Sequence, residues 1–218
     1  MSKKKYEVVL FDLDGTLLDT SEGIHNSVRF AENKLNLPRV PQECLNAFIG
    51  PPPTITYQKI YGLSESEALK ATKLHRQYGL KQGAYEAKVY QDIPLLLEKL
   101  KERGVLIGVC TLKRQDIAET VLKHFQLNDY FNVIVGIDNG EKLSKSDTIE
   151  IALKKLHYVD KDKAVLIGDS NFDADGAYSA GIDFIGVLYG FGFSTGIDYS
   201  FKTVERPYQL IPILCNSE

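Results

Sequence analysis

Asp12 and Asp14 stand two residues apart in Phe11-Asp12-Leu13-Asp14-Gly15-Thr16, and Asp169 and Asp173 stand four apart in Gly168-Asp169-Ser170-Asn171-Phe172-Asp173. Carboxylates gathered in one place repel one another, a cost that a cation among them relieves. Oxygen donors without histidine or cysteine suit a hard ion, magnesium before calcium or zinc. Lys145 and Thr111 would add a cationic group and a hydroxyl. A metal, a lysine and a threonine together make a site for a phosphoryl group. In such a site a carboxylate can attack phosphorus and form an aspartyl-phosphate while the metal neutralises charge. A second carboxylate of raised pKa can protonate the leaving alcohol and later take a proton from water. Asp12 is therefore the expected nucleophile and Asp14 the expected acid/base.

Residues so far apart meet only if the fold collects them. Short apolar runs recur at Val8 to Phe11, Val105 to Cys110, Val133 to Val135, Ala164 to Ile167 and Phe184 to Leu188. After the first, they are separated by stretches of helical period, and strands alternating with helices imply a parallel sheet. Ile117, Val121 and Phe125 form one apolar stripe, and Ile149, Ala152, Leu153 and Leu156 another. Ala174, Ala177 and Ala180 form a small-residue face that Gly181 should stop. In an open parallel sheet, ligands bind at the carboxyl ends of the strands. Asp12 and Asp14 follow the first strand, Thr111 ends the second, and Asp169 follows the fourth, so they should converge although 157 positions separate Asp12 from Asp169. Lys145 opens a helix at the positive end of its dipole, where something anionic must offset it.

More than ninety residues lie between the first two strands, against the two to six or so of a normal connection. Most of them must be an insertion, and it reads as helical. Ile24, Val28, Ala31 and Leu35 repeat on one helix, opened by Asp19 with Glu22; Ser64 with Glu67 opens another in a capping box. Gly50-Pro51-Pro52-Pro53 cannot be helix interior. The expected fold is α/β, a doubly wound, Rossmann-like parallel sheet, with residues 1–19 and 89–218 forming the core domain and residues 20–88 a small helical cap.

The 26 basic and 29 acidic residues sum to a net charge of −3, with no long basic run, which leaves no electrostatic footprint for nucleic acid. The 44% of hydrophobic residues is ordinary for a globular protein with a proper core. The amino-terminal apolar run is too short for a signal peptide or a membrane span. Cys44, Cys110 and Cys215 are odd in number and far apart, which suits a reducing compartment, so a cytoplasmic location is expected. The four histidines have no catalytic or metal-binding spacing. Lys113 and Arg114 read as a solvated helix start, with one of them reaching a substrate anion as the alternative, and Gly190-Phe191-Gly192 with Gly196 as a loop.

The motifs Asp12-Leu13-Asp14-Gly15-Thr16, Thr111, Lys145 and Gly168 to Asp173 resemble, in order, the four motifs of the haloacid dehalogenase-like hydrolases. The insertion resembles their helical cap of the first class. Phe48-Ile49-Gly50-Pro51-Pro52 and the segment from Ile182 to Gly192 look most like the phosphoglycolate phosphatase branch, which also contains nucleotidases. The resemblance implies Asp12 as nucleophile, Asp14 as acid/base, and Thr111 and Lys145 as donors to phosphoryl oxygens. It implies magnesium held by the Asp12 carboxylate, the Asp14 backbone carbonyl and Asp169, with Asp173 acting through water. Two positions depart from the family pattern: Leu112 stands where relatives usually carry Asn or Ser, and Ser146 where many carry proline.

The resulting expectation is a magnesium-dependent phosphatase acting on a small phosphorylated metabolite such as phosphoglycolate or a nucleotide, without nucleic-acid or membrane partners, as a monomer or homodimer. A sugar-phosphate mutase of the same fold would differ only in where the phosphoryl group goes next. A phospho-acceptor module without catalysis would need no large insertion after its first strand.

Overall fold

The computed structural model describes residues 6–138 and 142–215. Its central sheet has six strands in the order β5-β4-β1-β6-β7-β8, every neighbouring pair parallel. The strands are β1 (Val8–Phe11), β4 (Leu106–Arg114), β5 (Val133–Ile137), β6 (Ala164–Gly168), β7 (Asp183–Val187) and β8 (Lys202–Val204); β2 (Leu18–Asp19) and β3 (Lys88–Val89) form a separate ribbon. The central strands are buried on both faces, as their near-continuous apolar sequences demand. Because side chains alternate along a strand, Val9 and Phe11 of β1 face one layer and Val8 and Leu10 the other.

The first layer contains α5 (Ile93–Glu102), α6 (Gln115–His124) and α9 (Leu210–Leu214); the second contains α7 (Lys145–Lys155) and α8 (Asn171–Ala180). The stripes read from the sequence are the faces these helices bury: Ile117 and Val121 in the first layer, Ile149, Ala152 and Leu153 in the second. The chain runs outward from β1 through β4 to β5, then returns to β6 on the other side of β1. The strand order therefore reverses between β1 and β6, and the crevice that ligands use in such sheets opens at their carboxyl ends.

The inserted segment leaves the sheet through β2 and returns through β3, which pair antiparallel, Leu18 with Val89 and Asp19 with Lys88. Between them lie α1 (Ser21–Leu35), α2 (Gln42–Leu45), α3 (Pro53–Tyr61) and α4 (Glu65–Lys81). These helices have an apolar cluster of their own, built from Ile24, Val28 and Ala31 of α1, Tyr57 of α3, and Ala68 and Ala71 of α4. Ser64 and Glu67 close the expected capping box of α4, and Pro53 takes the first position of α3, where a missing N–H costs nothing.

The structure corrects three expectations. Asp19 does not open α1: it lies in β2, its carboxylate accepts from the Ser21 amide and hydroxyl, and Thr20 is the N-cap residue. The second strand of the sheet does not stop near Thr111 but continues to Arg114 past an irregularity in its pairing with β5. An edge strand, β8, joins the sheet beyond β7. No helix among the described residues is long and apolar enough to cross a membrane.

His75 of α4 is buried against Phe48 and Tyr57, and burial, with Lys113 and Arg76 nearby, pushes its pKa down to about 3. An unfolded histidine takes up a proton below about 6.5, whereas the native ring does so only near 3, so the unfolded chain binds the extra proton between those values. The stabilising preference for neutral His75 is complete above the unfolded pKa and is lost as the pH falls. Urea unfolding should show native stability decreasing between pH 6 and 4, with this one group contributing up to about 1.4 kcal/mol per pH unit. The His75→Gln chain should show a shallower dependence, and equal slopes for the two proteins would contradict the assignment.

Candidate active site

Asp12 begins where β1 ends, its amide donating to the Ile167 carbonyl of β6 at 2.8 Å, so the nucleophile candidate is tied across the crevice by backbone. The next turn is closed by Gly15, whose amide donates to the Leu18 carbonyl at 2.8 Å with φ at 80°. That conformation favours glycine, and a Cβ there would also overlap the Asp169 carboxylate. Asp169 follows β6, and Ser170 is the N-cap residue of α8, its amide and hydroxyl both donating to Asp173 Oδ2, so both acidic segments sit at strand ends next to one another.

Ligand atoms of Asp12, Asp169 and Asp173 lie within 4.8 Å of one another, and all three residues are buried. Lys145, at the first position of α7, reaches into this cluster: its Nζ is 2.5 Å from Asp12 Oδ1 and 2.6 Å from Asp173 Oδ1. These two carboxylates are the anions that a buried lysine at a helix amino terminus requires. Burial alone would lower the Lys145 pKa, but Asp12 and Asp173 overcome it and raise it above the usual lysine range. Burial pushes Asp12 up to about 8, against the pull of Lys145 and with the help of Asp173, Asp169 and Asp14. Asp169 rises to about 7, through burial first and Asp173 second, opposed by the amides of Phe191 and Gly192. With all three carboxylates ionised, one ammonium would leave excess negative charge, which, added to burial, is why Asp12 and Asp169 hold their protons so strongly, and a buried, all-oxygen donor set of this kind fits a hard divalent cation.

Asp14 points elsewhere. Its Oδ1 accepts from Thr20 Oγ1 at 2.5 Å and from Lys113 Nζ at 2.8 Å, and its Oδ2 is 3.0 Å from the same ammonium. Its side chain is therefore outside the three-carboxylate cluster, on the wall of a cleft between the inserted helices and the sheet. Ile24, Phe48, Leu112 and Ile117 are among the walls of that cleft. Thr111 is buried at the strand irregularity, and its Oγ1 accepts from the Lys113 amide at 3.1 Å.

Lys113 is the main correction at the site. It is not a solvated helix start; it lies within β4, its side chain is 15% exposed, and it pairs with Asp14. Strand pairing carries β4 to Arg114, well past the end of its apolar run at Cys110, and only the longer strand aims Lys113 at the crevice. The loop at Gly190 to Gly192 also has a part the sequence did not disclose. The Phe191 and Gly192 amides donate to Asp169 Oδ2 at 2.7 and 3.3 Å, and a Cβ on Gly190 would overlap Asp169. The available signal was the density of glycine immediately beyond a carboxyl-terminal strand end. Gly176 of α8 similarly lies against the Lys145 side chain, where a Cβ would collide at 2.5 Å with Cγ.

A family model described as haloacid dehalogenase-like hydrolase matches residues 9–187. The chain belongs to the haloacid dehalogenase-like hydrolases. Within that family it falls among the phosphatases. It is 36% identical over 189 residues, 86% of this chain and 85% of the other, to a 5'-nucleotidase of Pseudomonas aeruginosa. A phosphoglycolate phosphatase of Aquifex aeolicus is 26% identical over 96% of this chain and 97% of its own. The protein PtkA of Mycobacterium tuberculosis, named a tyrosine-protein kinase, is 35% identical over 91% of this chain and 67% of its own length. The crystal structure of a predicted phosphatase from Clostridium acetobutylicum superposes with a TM-score of 0.86 at 38% identity, covering 94% of this chain and 96% of that one. This haloacid dehalogenase-like chain thus keeps the family's sheet and presents the four motifs around one crevice.

Gly190→Ala should force the Asp169 side chain or the loop to move. Overpacking of this kind costs about 1–3 kcal/mol, to be read as a lower urea midpoint. An unchanged midpoint would mean that the close packing of Gly190 on Asp169 is not maintained in solution.

Proposed function

We propose that the chain is a magnesium-dependent phosphatase that hydrolyses a small phosphomonoester through an aspartyl-phosphate on Asp12. The observation that carries this reading is the placement of Lys145 between Asp12 and Asp173, with Asp169 close by and Asp14 turned to the cleft instead. That division supports Asp12 as the nucleophile on the charged side and Asp14 as the acid/base on the side where an alcohol would leave.

Asp12 attacks phosphorus, and the bond from phosphorus to the alcohol oxygen breaks as Asp14, in its protonated form, gives the alcohol its proton. In the second half Asp14 takes a proton from water, the water oxygen attacks phosphorus, and the bond to Asp12 breaks to release phosphate and restore the carboxylate. The contacts of Asp14 with Thr20 and Lys113, both donors, suit this second half, in which Asp14 must accept. Lys145 and Thr111 would bind the phosphoryl oxygens, in the manner of preorganised donors aimed at developing charge. Asp12, Asp169 and the Asp14 backbone carbonyl would hold magnesium, with Asp173 outside them. Asp173 Oδ2 already accepts from the amide and hydroxyl of Ser170, which fixes it for that outer place. Bound there, the ion would supply charge neutralisation between nucleophile and phosphoryl group. The cap would cover the crevice and exclude water during transfer.

Asp12→Asn should lose hydrolysis of phosphomonoesters by a factor of about 10³ or more, measured as phosphate released with magnesium present. Full turnover by that variant would remove Asp12 as nucleophile. Chelation with EDTA should abolish the wild-type rate and added magnesium should restore it; a rate indifferent to EDTA would contradict the metal's role. Recovery of an isomerised hexose phosphate in place of free phosphate would assign the chain to mutase chemistry.

A further inference from the structure

Several glycines line the cleft beside Asp14, and they divide by what fixes them. A Cβ on Gly23 would overlap the Gly83 carbonyl oxygen, and one on Gly83 would come within 3.0 Å of the Gly23 oxygen. Packing of backbone on backbone explains both. Gly79 is different. It lies in the last turn of α4, its φ is not in the left-handed region, and a Cβ there would find nothing nearer than Ile117 Cδ1 at 3.8 Å and Ser27 Oγ at 3.9 Å. Neither backbone conformation nor close packing calls for glycine, and glycine costs a helix up to about 1 kcal/mol relative to alanine. What the missing side chain does is leave space, and the space is in the cleft.

The surroundings define what could fill it. Gly79 stands between α1 and α6, where the cap faces the sheet layer, with Ile24, Phe48, Ile117 and Val121 making much of the wall. Ser27, on α1, adds a hydroxyl that donates to the Gly23 carbonyl at 2.7 Å. Asp14, at one end of the same cleft, is the group placed to protonate a leaving alcohol. A two-carbon acid would leave most of this apolar wall untouched, whereas a flat ring system would bury against it and keep its phosphate at the crevice.

Resting on the phosphatase reading, we propose that Gly79 is a specificity-determining residue: its bare backbone admits the ring-bearing, nucleoside-sized alcohol of a phosphomonoester into the cleft beside Asp14. A side chain at this position would confine the enzyme to small esters without touching the reacting groups.

The test compares the full chain with Gly79→Ala and Gly79→Leu, in magnesium, on adenosine 5'-monophosphate and on phosphoglycolate. Gly79→Leu should lower kcat/KM for the nucleotide at least tenfold, mainly through KM, and change that for phosphoglycolate less than threefold. Gly79→Ala should unfold at an equal or higher urea midpoint. Should the leucine variant fail to fold, the alanine variant decides, because its methyl group should weaken the nucleotide about threefold and spare phosphoglycolate. Equal losses on both substrates, no loss on either, or a wild-type enzyme that takes phosphoglycolate but not the nucleotide would overturn the role of Gly79 and leave the phosphatase standing. Absence of phosphate release by the wild type from these and from a panel of other phosphomonoesters would instead remove the phosphatase reading, and this proposal with it.

Discussion

A single ammonium group, Lys145 Nζ, stands between two buried aspartates, with a third aspartate nearby, and the arrangement of the whole crevice follows from that imbalance. Unscreened like charges at such separations interact strongly in a low-dielectric interior. The protein answers with partial compensation rather than with neutrality. Lys145 holds Asp12 and Asp173, two backbone amides hold Asp169, and Ser170 holds the remaining oxygen of Asp173. Each carboxylate is thereby oriented, yet the sum would be negative with all three ionised. A site wired in this way is stable enough to fold and electrically incomplete, a combination suited to a cation and to the phosphoryl group that would follow it.

Holding such a cluster together demands close approach, and the chain achieves it by removing side chains from its neighbours. Gly15 and Gly190 both lie against Asp169, Gly168 against Asp173, and Gly176 against Lys145. Every charged group of the cluster except Asp12 thus rests on a glycine. Asp12 is positioned instead by its backbone bond to β6. The acid/base candidate is kept apart by different means, since Lys113 and Thr20 draw the Asp14 carboxylate toward the cleft. Two carboxylates separated by one leucine therefore serve two distinct environments.

The core of this arrangement was legible before any coordinates, because it depends on period and topology. Apolar runs marked β1, β5, β6 and β7, helical stripes marked α6 and α7, and parallel topology alone brings Asp12, Thr111, Lys145 and Asp169 to one edge. Lys113 was not legible, because the length of β4 is set by hydrogen bonds to its neighbours and not by its own hydrophobicity. Asp19 matched a capping pattern yet became a strand residue, since pairing with Lys88 outcompetes a local cap. The two-residue strands of that ribbon are too short to carry a pattern. The anchoring of Asp169 by Phe191 and Gly192 is made by backbone amides, and side-chain identity says little about where an amide points.

The ribbon has a consequence of its own. Leu18 and Asp19 pair directly with Val89 and Lys88, so the outgoing and returning chains cross at adjacent rungs. Everything between them is attached to the sheet as a cassette with a single two-threaded stem. Its ends stay together whatever it contains, which is the geometry under which inserted segments are tolerated. Exchange of the cassette would accordingly change what covers the crevice, while Asp12, Lys145, Asp169 and Asp173 all lie outside it.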